Sequence, residues 1–205
     1  MRSARERGIS RRSWLLAGLT VPLFSARASD ALNVRFDGDT IHVAPPNLHF
    51  LTGKPLARLR DGSVVAYVAQ LDLLDESHLP VPGRHQGARF VVSLDLWEEK
   101  FSVTQLGKTP RTVSGFAANA AEAWCFEALA LSTTGLQPDR YFWLRFDMRT
   151  GGPRDLEGEF ASGISLKKII ELMGRKNQEE THWGPLEVRV RLADLPRMTG
   201  RGTRA

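Results

Sequence analysis

The chain has a single cysteine, Cys125, among its 205 residues. One thiol cannot form an internal disulfide, so the fold does not depend on a disulfide framework. Cys125 lies in an apolar run that reads AEAWCFEAL. A cysteine in that setting is predicted to be a small buried hydrophobe, with a reactive thiol as the alternative.

Outside the first 28 residues, the chain has no excess of acidic or basic residues. Six of the 28 basic residues and one of the 23 acidic residues lie in positions 1–28, and the remaining 177 positions hold 22 of each. Nucleic-acid binding needs a basic face that neutralises phosphates, so the balance excludes a nucleic-acid partner. Only residues 197–205 are locally basic, and this stretch is predicted to be a flexible tail.

Recognisable reaction motifs are also missing. No Gly-x-Ser-x-Gly elbow and no phosphate-binding glycine loop before a helix occurs, and we find no internal repeat or low-complexity tract. The sequence therefore predicts no catalytic residue and no cofactor.

Residues 1–28 have the three parts of a secretory signal peptide. A basic region ends at Arg12, an apolar region covers residues 14–24, and Ala26-Arg27-Ala28 supplies a small-x-small cleavage site. We predict cleavage after Ala28. The apolar run is about 11 residues long, whereas about 20 are needed to span a bilayer, which favours a cleaved leader. A permanent anchor is the alternative.

The segment Ser10-Arg11-Arg12-Ser13-Trp14-Leu15 resembles the twin-arginine export signal of bacteria. Leu16 stands where that pattern usually has lysine. The resemblance implies that Arg11 and Arg12 contact the export machinery transiently, and that the mature protein is periplasmic or secreted. An ordinary signal peptide with two chance arginines is the alternative.

The stretch 89–106 is predicted to be the centre of the fold. Phe90, Val92 and Leu94 alternate with polar or less buried positions, which is the period of a strand with one buried face. The apolar parity changes at Phe101 and Val103, so a bend or a tight hairpin is expected near residues 98–100. Further strands are predicted at 32–43 (a hairpin whose turn is centred on Asp37-Gly38), 64–73, 140–148 and 186–192.

Two helices are predicted, over residues 116–131 and 165–174. The first is rich in helix formers and could be capped by Ser114 or Asn119. Residues 75–87 are predicted to be a loop, because they contain Pro80, Pro82 and two glycines. The sum is one mainly β domain over residues 29–196. We expect an antiparallel β-sandwich with one or two short helices packed on it; an open β-barrel and an α+β arrangement are the alternatives.

The predicted binding residues are Trp97, Trp143, Glu98 and Glu99. Both tryptophans fall on the face opposite the apolar stripe of their strands. Either the 116–131 helix covers that face, which is the favoured interpretation, or the face docks a ligand or partner. Glu98 and Glu99 are expected to lie in a solvated bulge, with acid–base chemistry as the alternative.

The five histidines show no metal-ligand spacing. His78 and His85 share the predicted loop with Asp75 and Glu76, so they are weak candidates for a metal site. A solvated loop is the favoured interpretation, and no metal is predicted.

Four stretches carry a family resemblance: LTGKPLARLRDG, RFVVSLDLWEEKFSV, AAEAWCFEAL and a closing strand before Leu195-Pro196. Together with the twin-arginine-like leader, they resemble a family of uncharacterised exported bacterial proteins, a domain of unknown function. The resemblance implies an extracytoplasmic bacterial protein and transfers no site residues.

The leading functional hypothesis is a non-enzymatic binding or assembly module. Its partner would be a protein or a small ligand in the cell envelope. A secreted metal-dependent enzyme or hydrolase of unfamiliar type is the alternative. An envelope scaffold that keeps its leader as an anchor is the third hypothesis.

Overall fold

The computed structural model describes residues 32–152, 155 and 180–196. The predicted leader, the predicted 165–174 helix and the basic tail lie outside these residues. The elements are β1 (Asn33–Asp37), β2 (Thr40–Ala44), α1 (Gly53–Arg60), β3 (Val65–Leu74), β4 (Pro80–Asp95), β5 (Lys100–Leu106), β6 (Arg111–Phe116), α2 (Ala118–Glu127), β7 (Ala130–Ser132), β8 (Tyr141–Thr150), β9 (His182–Arg191) and a 3-10 turn (Leu192–Asp194). Neither of the two described α-helices has the length and apolar character that crossing a membrane requires.

The strands form two antiparallel sheets, and the predicted mainly β, two-sheet fold is confirmed. The small sheet has the order β1-β2-β7, and the large sheet has the order β6-β5-β4-β3-β8-β9. Ile41 and Leu131 from the small sheet share one buried cluster with Leu71, Phe90 and Phe146 from the large sheet. The described strands do not close into a barrel.

The alternation predicted from sequence is confirmed in β3 and β8. Residues 65, 67, 69, 71 and 73 are buried on one side of β3, and residues 142, 144, 146 and 148 are buried on one side of β8. β3 pairs with β4 on one edge and with β8 on the other. A strand in the middle of a half-covered sheet needs this two-residue period.

The β1–β2 hairpin is confirmed, but its predicted turn is wrong by one residue. Asp37 pairs with Thr40, so Gly38 and Asp39 are the two loop residues. Gly38 has φ +64°, and Asp39 has no positive φ. A turn with glycine at the first central position needs only one positive φ, which is why Asp37 stays in the strand.

The predicted loop over 75–87 is confirmed for residues 75–79 and wrong from Pro80 onward, where β4 begins. Among the described strands, β5 pairs with β4 only from Arg89 onward, and the first half of β4 pairs with β3 alone. Proline is tolerated on such an edge because its missing N–H leaves no ladder bond unmade. Arg84 crosses from this edge to the small sheet and donates to the carbonyl oxygens of Ser132 and Thr134.

Helix α2 is shorter than the predicted 116–131 span. It covers Ala118–Glu127, and β7 follows directly because Leu131 pairs with Ile41 in the small sheet. The predicted caps are wrong: Ser114 lies in β6, and Ala117 is the N-cap without a side-chain hydrogen bond. β6 itself was not predicted, since it is a polar edge strand with little alternation.

Helix α1 (Gly53–Arg60) was also not predicted, because glycine and proline, here Gly53 and Pro55, normally indicate a break in a helix. Both residues lie in the first turn of the helix. The first four N–H groups of a helix have no partner inside it, so a proline there costs no hydrogen bond. Leu59 on this helix is fully buried.

An aromatic cluster forms around Phe50, which follows β2 and is fully buried. Its ring centroid lies 4.8 Å from that of Tyr67, 5.7 Å from Phe126 and 6.3 Å from Trp183. Burial raises the pKa of the Tyr67 hydroxyl. Burial likewise raises the pKa of the Cys125 thiol, and the prediction that this cysteine is a buried hydrophobe is confirmed.

Strand β9 begins at His182, four residues earlier than predicted. A bulge near its start interrupts the two-residue alternation that identifies a strand in the sequence. Phe146 pairs with Leu186 and Met148 pairs with Trp183, so Gly184 and Pro185 together oppose one residue of β8. In a regular strand, residues 183 and 186 would face opposite sides. The extra residue brings the Trp183 ring to the core side, where it packs on the Tyr67 ring at a centroid distance of 6.0 Å.

We expect Gly184→Ala to lower the free energy of unfolding by roughly 3 kcal/mol. Gly184 has φ +109°, and a Cβ there would lie 2.9 Å from the Phe146 carbonyl oxygen. Urea denaturation measures the loss. The matched control is Gly62→Ala, which also has positive φ (+77°) but has no atom within 4 Å of its Cβ position. The control should lose only about 1 kcal/mol, for the backbone conformation alone. Equal losses would contradict the steric explanation.

Candidate functional site

Trp97 lies at the tip of the β4–β5 hairpin, in the four-residue turn 96–99. The hairpin itself confirms one of the two predicted arrangements at this bend. The Trp97 side chain is 96% exposed, and Leu96 beside it is 53% exposed. The favoured interpretation that the 116–131 helix covers Trp97 is therefore wrong. The reason is that the chain leaves the sheet at Asp95, so strand parity does not apply to the turn.

The tip has a defined backbone conformation. An Asp95 carboxylate oxygen accepts hydrogen bonds from the N–H groups of Trp97 (2.9 Å) and Glu98 (3.2 Å). Glu99 completes the turn with φ +52°. Because two side-chain hydrogen bonds hold the turn, the backbone position of Trp97 is fixed. Glu98 and Glu99 are both exposed, as a solvated turn requires.

An apolar groove of about 360 Å³ lies next to this tip. Its two charged lining residues are Arg60, at the end of α1, and Glu99. The apolar lining residues are Leu51, Leu56, Leu94, Leu96, Phe101 and Ala118. We call Leu96, Trp97, Glu98, Glu99 and this groove the tip surface.

Trp143 is not part of the tip surface. It lies in β8 opposite Leu74, near the end of β3 that pairs with Pro80, whereas the tip follows the other end of the β3–β4 pair. The Trp143 ring is half-buried and stacks on the His78 ring, with centroids 4.6 Å apart and planes at 30°. The predicted set of Trp97, Trp143, Glu98 and Glu99 is thus divided between two ends of the sheet.

His78 and His85 have different carboxylate partners. His85 Nδ1 contacts Asp72, and His78 Nδ1 lies 3.9 Å from Glu187. Across the part of the chain that the structure describes, no group of three or more histidine, cysteine, aspartate or glutamate residues is placed to hold a metal ion. The described residues therefore do not assemble the weak site considered from sequence.

The outer face of the large sheet carries cross-strand ion pairs. The register aligns His85, Asp72, Arg145 and Glu187 in one row across four strands. Arg145 Nε donates to Glu187 at 2.6 Å. In the neighbouring part of the face, the Arg149 guanidinium lowers the pKa of the Asp155 carboxyl through a two-bond contact. These side chains are hydrogen-bond and ion-pair partners of one another, so we interpret them as cross-strand pairs that stabilise the sheet.

A cleft of about 570 Å³ opens beside the start of β9, and sequence reasoning missed it. One wall is the segment after β2, and the other is the bulged part of β9. The lining residues are Pro45, Asn47, Leu48, His49, Trp183, Gly184 and Leu186.

Behind His49 lies Glu122 of α2, whose side chain is only 6% exposed. One Glu122 carboxylate oxygen accepts the Leu51 N–H at 2.8 Å, and the other lies 2.9 Å from His49 Nδ1. The sequence contains one signal for this contact. Glu122 falls three and four residues before the buried Cys125 and Phe126, so a carboxylate stands on the core stripe of the helix and needs a buried partner.

Comparison of the chain with protein-family models, with curated proteins and with solved structures finds no match. The resemblance to exported bacterial proteins therefore stays a prediction.

Proposed function

We propose that the protein is an exported, non-enzymatic binding module of the bacterial cell envelope and that it docks a partner protein on the tip surface. The observation that carries the proposal is the 96% exposed Trp97 at the tip of a hydrogen-bonded hairpin turn. Tryptophan is the residue type most enriched among binding hot spots, and leaving a whole indole in water is unfavourable.

The charges of the tip define the chemistry of the partner. Glu98 and Glu99 flank the indole, so the partner should offer an apolar recess for Trp97 with lysine or arginine at its rim. The groove beside the tip would receive an apolar side chain of the partner, next to Arg60. Because the turn is already fixed by Asp95, docking costs little conformational entropy.

Export is supported by the leader alone. The three-part layout of residues 1–28 and the Arg11-Arg12 pair favour a twin-arginine route into the periplasm. The charge balance of the remaining residues favours a protein partner over nucleic acid.

We expect a photo-crosslinking amino acid at position 97 to give one adduct of defined mass in the periplasm of cells that make the protein. The matched control is position 79, since Leu79 is also exposed but lies in the turn before β4, at the other end of the sheet. Changing both Glu98 and Glu99 to lysine should abolish the adduct, because the charge at the tip is reversed. An adduct of twice the chain mass would identify a second copy as the partner.

Two results would contradict the proposal: no adduct at position 97, or equal adducts at positions 97 and 79. With the partner purified, Trp97→Ala should weaken binding by about 30-fold, the effect of losing a central hot spot. The melting temperature should not change, since Trp97 makes almost no contact with the rest of the fold.

A further inference from the structure

We propose that the cleft beside β9 binds a small uncharged molecule with an apolar ring body and one hydroxyl group, and that the hydroxyl donates its hydrogen to Nε2 of His49. This site is separate from the tip surface, and its proposal does not depend on the docking of a partner protein. Its volume of about 570 Å³ lies within the range of known small-molecule sites.

The body of the ligand is defined by the apolar walls. Pro45, Leu48 and Leu186 line the cleft together with the half-buried Trp183. The Trp183 ring is held from behind by Phe50 and Tyr67, at centroid distances of 6.3 and 6.0 Å. A flat indole supported in this way favours a planar or ring-shaped apolar partner.

The head group is defined by the hydrogen-bonding state of His49. Both oxygens of the Glu122 carboxylate are engaged, one by the Leu51 N–H and the other by His49 Nδ1. A carboxylate accepts hydrogen bonds, so His49 Nδ1 is the donor in this contact. In the neutral form of the ring Nε2 is an acceptor, and it is this form that a ligand hydroxyl would recognise.

The burial of its acid distinguishes the His49–Glu122 pair from the other four histidine–carboxylate pairs of the described structure. The Glu122 side chain is 6% exposed, whereas the acid partners of the other histidines are 28–55% exposed. The His49 side chain is nevertheless 61% exposed. An imidazole that is open to solvent while its orienting carboxylate is buried is positioned in advance for a ligand.

The experiment compares three probes that share one ring body, by isothermal titration calorimetry with the purified protein. 2-Naphthol can donate a hydrogen bond, 2-methoxynaphthalene can only accept one, and 2-naphthoate is an anion. We expect 2-naphthol to bind about threefold more tightly than 2-methoxynaphthalene, which is the net effect of one hydrogen bond to a partly exposed acceptor. 2-Naphthoate should bind most weakly, since the cleft adjoins the Glu122 carboxylate.

Two variants test the role of the pair. His49→Phe removes the acceptor and should abolish the preference for 2-naphthol while both neutral probes still bind. Glu122→Gln keeps the shape, but its amide can donate to Nδ1, so the proton moves to Nε2 and the preference should be lost. His85→Phe is the matched control: it removes a histidine of another carboxylate pair, outside the cleft, and should keep the preference.

Circular dichroism confirms that each variant is folded before titration. The proposal is overturned if 2-naphthol does not bind at millimolar concentration, or if the two neutral probes bind equally to the unmodified protein. Tightest binding of 2-naphthoate, or a preference that survives His49→Phe, would also overturn it. None of these results affects crosslinking at position 97, so the two proposals fail separately.

Discussion

Export is expected to stop when Arg11 and Arg12 are both replaced by lysine. The double substitution keeps the positive charge of the leader and changes only the two guanidinium groups. An ordinary secretory leader is recognised by its charge and hydrophobicity, whereas the twin-arginine route requires the arginine pair. We therefore expect the uncleaved chain to accumulate in the cytoplasm and the periplasmic fraction to lose the protein almost completely.

Cell fractionation and N-terminal sequencing measure this result. The unmodified protein should be periplasmic and should begin at Ser29, as cleavage after Ala28 requires. The matched control replaces Arg5 and Arg7 by lysine, because these arginines belong to the same basic region but lie outside the pair. Normal export of the Arg11/Arg12 variant would show that the leader is an ordinary signal peptide. A mature protein that still begins at Met1 would support the anchored scaffold instead.

Phe50→Ala is expected to lower the free energy of unfolding by about 4 kcal/mol. Phe50 is fully buried and contacts the rings of Tyr67, Phe126 and Trp183, which come from β3, α2 and β9. Removing its ring leaves a cavity that neighbours on three elements would have to fill together. Packed interiors relax only partly, so most of the cavity would remain.

Guanidinium denaturation of two control variants separates the cavity from a general effect. Phe50→Leu keeps most of the volume and should cost less than about 2 kcal/mol. Phe36→Ala removes the same ring from a half-buried position in β1 and should cost about 1 kcal/mol. A loss below that of Phe36→Ala would contradict the formation of a cavity between β3, α2 and β9.

The strands with a regular two-residue period could be predicted from sequence, because alternate burial is local information. β3 and β8 are such strands, and each of their predicted inward positions is buried. The pairing of β4 could not be predicted. Pro80 and Pro82 normally indicate a loop, and only the sheet order shows that this half of β4 lies at an edge where they are tolerated. Pro55 likewise indicated a break where α1 begins, since its place in the first turn of that helix is visible only in the structure.

The candidate sites show a sharper limit. Trp97 was predicted as a binding residue from its place in the strand alternation. Its exposure, however, depends on the turn that takes it out of the strand. The pair of His49 and Glu122 joins residues 73 positions apart, and nothing in the local pattern of either residue specifies the other. The bulge at Gly184 and Pro185 is equally hidden, because the strand seemed to begin after it. Non-local pairing, which sets the last two features, has no signature in one sequence.

The free half of β4 has a consequence for how the molecule behaves at high concentration. An unpaired strand margin is a template on which a neighbouring chain can add its own strand, and this growth leads to aggregates. Here Pro80 and Pro82 remove amide hydrogens from the margin, while Arg84 spans the gap to the small sheet and occupies two carbonyl groups there. A second molecule that approaches this margin meets a charged side chain and an interrupted ladder. We therefore expect this margin to resist strand addition by a second molecule.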